Sequence, residues 1–148
     1  MRECEQMQTA ADVRRLQYVM LMDFTRRCGA AKLPEGVSEE VYRCMSYIQS
    51  HTNMPLGVED VADQIHRSSS WLMRRFRAEL GMSVGDYITK CKMDEACELL
   101  TYSDRTLSQI SAYLGYSSQS YFQNVFRKQL GMTPMQYRRQ GRVKTAPE

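Results

Sequence analysis

SSQSYFQNVFRKQLGMTPMQYR, Ser117 to Arg138, decides the fold, because much of it already stands fifty residues upstream as SSWLMRRFRAELGMS, Ser69 to Ser83. At that constant offset Ser70, Phe76, Arg77, Leu80, Gly81 and Met82 recur unchanged as Ser120, Phe126, Arg127, Leu130, Gly131 and Met132. Trp71 and Ser83 recur as Tyr121 and Thr133. A register held over fourteen positions marks an internal repeat. Each copy opens on serines suited to N-capping, with Ser68 and Ser117 at the capping positions. Each carries apolar residues at i and i+4, Leu72 with Phe76 and Phe122 with Phe126, and stops at a Gly after a Leu. Both copies are expected to be short, well-bounded helices.

A partner helix precedes each copy. Val58, Val61, Ala62 and Ile65 fall at i, i+3, i+4 and i+7, one apolar face of a helix, and Leu107, Ile110, Ser111 and Leu114 repeat the spacing. His66 and Arg67 in the first unit, and Gly115, Tyr116 and Ser117 in the second, form the tight turn of a helix-turn-helix. Val61 to Phe76 is 15 positions and Ile110 to Phe126 is 16, so the second turn is one residue longer. Between the units, Ser83 to Leu100 reads as one long helix, with Val84, Ile88, Cys91, Glu95 and Leu99 bracketing Tyr87, Met93, Ala96 and Leu100.

These residues resemble the AraC/XylS family of transcription regulators. The family's C-terminal signature is matched by Ile110-Ser111, Gly115-Tyr116, Ser120-Tyr121-Phe122, Phe126-Arg127, Gly131-Met132-Thr133-Pro134 and Tyr137-Arg138. The chain departs from the pattern at Ser111, where Ala is usual, at Tyr116, where Phe is usual, and at Cys91, where the linker helix usually carries Arg. The resemblance implies an all-α fold of two helix-turn-helix subdomains on a long linker helix, preceded by a short amphipathic helix. It implies a sequence-specific regulator that reads two successive major-groove segments. Double-stranded DNA would be its partner, with RNA polymerase beside it in a bacterial activator's setting, and no cofactor is called for.

A helix reads base edges with about three or four side chains on the face opposite its packed side. With Leu72 and Phe76 inside, Ser70, Trp71, Met73, Arg74 and Arg77 point outward. By the resemblance Ser70, Met73 and Arg74 fall on base-facing positions. A guanidinium such as that of Arg74 can take guanine O6 and N7 together. On the second reader Gln119, Ser120, Gln123, Asn124 and Arg127 face out, and Gln and Asn suit the edge of adenine. Family members often hold Arg where Asn124 stands. Backbone contacts are expected from Ser68 and Ser117 at the helix N-termini, and from Arg77, Lys92, Arg127 and Lys128. Lys90, Arg138 and Arg139 are further phosphate candidates by charge alone. Trp71 and Tyr121 are read first as packing aromatics, with base stacking or methyl contact as the alternative.

The net charge of +3 hides an alternation along the chain. Ser38 to His66 holds one basic residue against five acids, and Met93 to Phe126 one against four. Arg67 to Lys92 holds six basic against two acidic, and Arg127 to Glu148 six against one. Basic charge therefore gathers around the reader helices, as a phosphate-facing surface requires. Five cysteines, Cys4, Cys28, Cys44, Cys91 and Cys97, are odd in number and irregularly spaced. No disulfide framework is expected, and no metal, since no Cys-x-x-Cys pair exists and His51 and His66 lie far from any cysteine pair. No Ser/His/Asp constellation or Gly-rich phosphate loop suggests an enzyme. The other enzymatic option, an alkyl-transfer repair protein that fuses this fold to a cysteine-bearing zinc domain, would need a ligand cluster ahead of Ser38. The longest apolar run, Tyr18 to Met22, is far short of the roughly 20 residues that span a bilayer, so a cytoplasmic protein is expected.

Residues 1–36 read as an N-terminal helical segment and linker, 37–140 as the DNA-binding domain, and 141–148 as a basic, disordered tail. Within the first, Asp12 to Cys28 carries a stripe of Val13, Leu16, Val19, Met20 and Phe24 at helical spacing. That helix either packs back on its own domain or self-associates with a second copy. Gly29 to Gly36 is the linker, and Ser38, followed by Glu39 and Glu40, starts the first helix of the domain.

Overall fold

A computed structural model describes residues 35–145, with side chains as far as Gly141. The expected Asp12–Cys28 helix lies outside the described residues. Seven helices follow one another, with no strand among the described residues: α1 Glu39–Ser50, α2 Val58–Gln64, α3 Ser69–Leu80, α4 Val84–Tyr102, α5 Leu107–Tyr113, α6 Gln119–Leu130 and α7 Pro134–Thr145. The expected all-α class holds.

Local chemistry sets the boundaries. Ser68 Oγ accepts from Trp71 N–H at 3.2 Å, Ser83 Oγ from Asp86 N–H at 3.0 Å, and Ser118 Oγ from Tyr121 N–H at 3.1 Å. Thr106 and Gln109 at the start of α5, and Thr133 and Gln136 at the start of α7, close reciprocal capping boxes. α3 and α6 both end at a left-handed glycine, Gly81 at φ 70° and Gly131 at φ 73°, whose N–H returns to the carbonyl of Arg77 or Arg127.

Two hydrophobic cores lie along α4. The first gathers Val41, Cys44, Ile48, Val61, Ala62, Leu72, Phe76, Val84, Tyr87 and Ile88. The second gathers Met93, Ala96, Leu100, Leu107, Ile110, Leu114, Phe122 and Phe126. One 19-residue helix, roughly 28 Å long at 1.5 Å per residue, thus forms a wall of both lobes. Aromatic edges fill the second core, with Tyr116, Phe122, Phe126 and Tyr137 in succession at centroid separations of 5.5, 5.9 and 5.7 Å. In the first, Glu79 near the end of α3 pins the start of α1. Its carboxylate accepts from Ser38 N–H at 2.7 Å and Ser38 Oγ–H at 3.0 Å, and pairs with Arg75 at 2.6 Å.

The two turns differ as the spacing predicts. Between C-cap and N-cap stand His66 and Arg67 in the first unit, and Gly115, Tyr116 and Ser117 in the second. Each turn begins with a left-handed residue, His66 at φ 56° and Gly115 at φ 75°. Arg67 N–H closes on Ala62 O and Tyr116 N–H on Ser111 O.

Two expectations change. Ser117 does not cap α6; Ser118 does, because the extra turn residue pushes the helix start one position on. The helix expected to end before a disordered tail at Gly141 runs on to Thr145. There the missing side chain lets α7 lie against α4, since a Cβ on Gly141 would meet Thr101 Oγ1 at 3.3 Å. In α4 the buried ladder is Val84, Ile88, Lys92, Ala96 and Leu100 at i+4 steps, while Cys91, Glu95 and Leu99 are only half-buried.

Candidate nucleic-acid interface

The reader helices present the faces their apolar pairs leave free. Leu72, Phe76, Phe122 and Phe126 are fully buried. On α3, Ser70, Met73, Arg74 and Arg77 are exposed, and Met73 keeps 46% of its surface in solvent. On α6, Gln119, Ser120, Asn124, Arg127 and Lys128 are exposed and Gln123 is half-exposed. The two faces therefore differ in chemistry, one offering Arg and Met and the other amides. An exposed Met side chain suits a thymine methyl, and amides suit adenine.

Among the described residues, the arginines divide into committed and available. Arg43 pairs with Glu39, Arg67 with Glu40 and Arg75 with Glu79. Arg74, Arg77 and Arg127 have no such carboxylate among the described residues, so their guanidinium groups stay open to a phosphate or a guanine. Ser68 and Ser118 leave the first amides of two 12-residue helices pointing outward.

Two charged residues expected on the DNA backbone are occupied elsewhere. Lys92 is 5% exposed, and its Nζ donates to Met54 O at 2.8 Å and to Leu114 O. Its pKa is held below 10.5 by burial, and no carboxylate among the described residues supports its charge. It cannot reach a phosphate because it sits on the buried ladder of α4. Arg138 is likewise turned inward, its Nε donating to Leu100 O at 3.2 Å and its Nη2 to Arg105 O at 2.6 Å. There it supplies donors to carbonyls at and beyond the end of α4. Lys90 and Arg139 remain exposed.

The aromatic pair splits. Trp71 is half-buried against the first core with the Arg67 guanidinium 5.1 Å from its ring, as the packing reading expects. Tyr121 keeps 56% of its surface exposed, edge-on to Tyr116 at 5.8 Å, and joins the outward face of α6. Cys91, at the family's usual Arg position, is half-buried against the first core and is neither a cation nor a reactive thiolate, since burial pushes its pKa up. Ser118 is the residue the sequence reading missed; the fifty-residue offset carries Ser68 onto it.

Two capped helices, each backed by a partner helix and both carried on one helix, define a double helix-turn-helix DNA-binding domain. A family described as a helix-turn-helix domain matches residues 61–140. The chain belongs to the AraC/XylS family of transcription regulators, of which this is the C-terminal DNA-binding domain.

Among curated relatives, it is similar to the regulatory protein SoxS of Escherichia coli strain K12, 35% identical over 94 residues that cover 64% of this chain and 88% of SoxS. It is also similar to the regulatory protein PocR of Salmonella typhimurium strain LT2, 30% identical over 130 residues that cover 86% of this chain and 43% of PocR. The chain thus spans less than half the length of PocR. That match is longer than the described span and reaches into the segment before Glu35. Among solved structures, the DNA-binding domain of AdpA, a global transcriptional factor in complex with a target DNA, superposes with a TM-score of 0.68 at 25% identity, covering 73% of this chain and 97% of that one.

Proposed function

We propose that the chain regulates transcription by reading two successive major-groove segments of one duplex, α3 in one and α6 in the other. The observation that carries this reading is the pair of outward faces, one Arg- and Met-bearing and one amide-bearing, set opposite buried Leu/Phe and Phe/Phe pairs. Ser70, Met73 and Arg74 read bases from α3, and Gln119, Ser120, Gln123 and Asn124 from α6. Arg77, Arg127 and Lys128, with the helix starts at Ser68 and Ser118, hold phosphates. Tyr121 adds an apolar contact beside Ser120. Bound beside a promoter, the domain works with RNA polymerase in the bacterial cytoplasm, and no helix among the described residues is long and apolar enough to cross a membrane. Asp12–Cys28 brings two copies together so that paired sites are occupied at raised effective concentration.

Selection from random duplex DNA, followed by footprinting, tests this. The expected product is a bipartite site whose two conserved segments lie about one helical turn, or roughly 10 base pairs, apart on one side of the duplex. A footprint confined to half a turn, or selection of a single segment, would overturn it.

A further inference from the structure

Beside α4 the loop before α2 of the first lobe meets the end of α5 in the second, and a buried cation sits at that contact. Lys92 stands midway along α4, just past the last helix residues of the first core and just before Met93 of the second. Its Nζ donates to Met54 O, in the loop between α1 and α2 of the first lobe, and to Leu114 O, at the end of α5 in the second. The Tyr116 ring lies 5.4 Å from the same Nζ. The backbones on either side of this lysine are in contact. A Cβ added to Gly115 would lie 2.5 Å from Pro55 N and 2.6 Å from Met54 C.

We propose that Lys92, with Gly115 as the glycine that admits the contact, is a positioning residue that fixes the angle between the two lobes and so the spacing at which the two reader helices meet DNA. This rests on both α3 and α6 reading bases, as proposed above. Two backbone carbonyls from different lobes are tied to one ammonium group on the helix that both lobes share. A single helix is otherwise free to bend or twist at its middle. Taking half of the roughly 34 Å between successive major-groove sites as the lever, a hinge of about 10° shifts a reader side chain by about 3 Å. That is enough to break base hydrogen bonds, which weaken steeply beyond about 3.5 Å. A buried cation is costly where a hydrophobic residue would pack, and the best-attested return on that cost is a fixed arrangement.

The test uses the full chain on its selected bipartite site and on versions with one base pair inserted or removed between the two segments. Misplacing one reader forfeits its base contacts, so the wild type is expected to bind the altered spacings roughly 30-fold or more weaker. Lys92→Met and Gly115→Ala are expected to shrink that ratio to a few-fold. Gly131→Ala is the control, with a left-handed φ of 73° like the 75° of Gly115 but nothing within 4 Å of an added Cβ, and it should keep the wild-type ratio. Folded Lys92→Met and Gly115→Ala proteins that discriminate spacing as the wild type does would overturn the proposal. Where Lys92→Met fails to fold, Gly115→Ala decides. A distance measurement independent of DNA separates this proposal from the reading beneath it. Spin labels on unnatural side chains at exposed Ser46 of α1 and Gln129 of α6 avoid the five cysteines. The interlobe distance distribution should broaden in Lys92→Met; a wild-type width would refute the positioning role, even if no bipartite site exists.

Discussion

Ser118 Oγ accepts from Tyr121 N–H at 3.1 Å, and among the described residues no other side chain serves the first turn of α6 in this way. Removing the hydroxyl leaves that amide to water alone, and N-cap Ser→Ala changes cost about 1 kcal/mol. For a domain of roughly 100 residues this lowers Tm by about 4 to 8 °C. Ser68 makes the matching bond at 3.2 Å in α3, so Ser68→Ala should cost the same. Ser117 is exposed and lies before the cap, so Ser117→Ala should stay within about 0.5 kcal/mol of wild type. Thermal and urea unfolding followed by circular dichroism at helical wavelengths measures all three. Binding to the selected duplex adds a second reading. Gln119 and Ser120 ride on the turn that Ser118 caps, so Ser118→Ala should weaken specific binding by up to about fivefold, the equivalent of about 1 kcal/mol. Ser117→Ala destabilising the domain as much as Ser118→Ala would refute the cap assignment and the one-residue difference between the turns.

Arg74→Ala should lose preference at one or two base pairs by roughly 1 to 3 kcal/mol, whereas Lys128→Ala should weaken all sequences alike and reduce the salt slope by about 1; equal losses on specific and random duplexes for Arg74→Ala would exclude base reading, and both are measured by titration at several salt concentrations. Burial pushes Tyr87, Tyr116 and Tyr137 up to about 12 from 10.0, so the folded chain keeps protons that the unfolded chain releases. Their contribution is complete below pH 10 and is lost as the pH climbs toward about 12. Lys92, held below 10.5 by burial, acts in the opposite sense, because its folded state gives up the proton first and its burial grows less costly as the pH nears 10.5. Urea unfolding should show stability falling between pH 10 and 12, and Tyr87→Phe should flatten the fall; an unchanged slope would remove Tyr87 from the account. Light scattering on the intact chain should show self-association that is lost in a chain starting at Val37, and two monomers at high micromolar concentration would refute a dimerising role for Asp12–Cys28.

Most of the architecture is written in local chemistry. Ser38, Ser68 and Ser83 cap where they stand in the sequence, and Leu72, Phe76, Phe122 and Phe126 face inward because their spacing allows nothing else. The outward faces follow by subtraction. What local pattern conceals is where a long helix passes from one core to the next. Reading α4 as Val84, Ile88, Cys91, Glu95 and Leu99 bracketing Tyr87, Met93, Ala96 and Leu100 left Lys92 for the DNA, because a lysine among apolar neighbours passes for a surface residue. The i+4 ladder of Val84, Ile88, Lys92, Ala96 and Leu100 was nonetheless present, and a cation on it signals carbonyl partners brought from elsewhere in the chain. Arg138 was hidden in the same way, since its acceptors at Leu100 and Arg105 lie more than thirty residues back. His66 in a left-handed turn had no glycine to announce it.

The unequal turns bear on how specificity could be exchanged between the lobes. A graft that moves α3 together with its own two-residue turn into the second lobe arrives one residue short, which would rotate the transplanted helix by about 100° about its axis if the helix ends were held. Its Arg74 would then swing away from the groove, and Leu72 would be drawn out of the aromatic core. The donor segment has to be cut at the cap serine, Ser68 replacing Ser118, so that the host keeps Gly115, Tyr116 and Ser117. Chimeras joined there would exchange their base preference while keeping the pitch of the host.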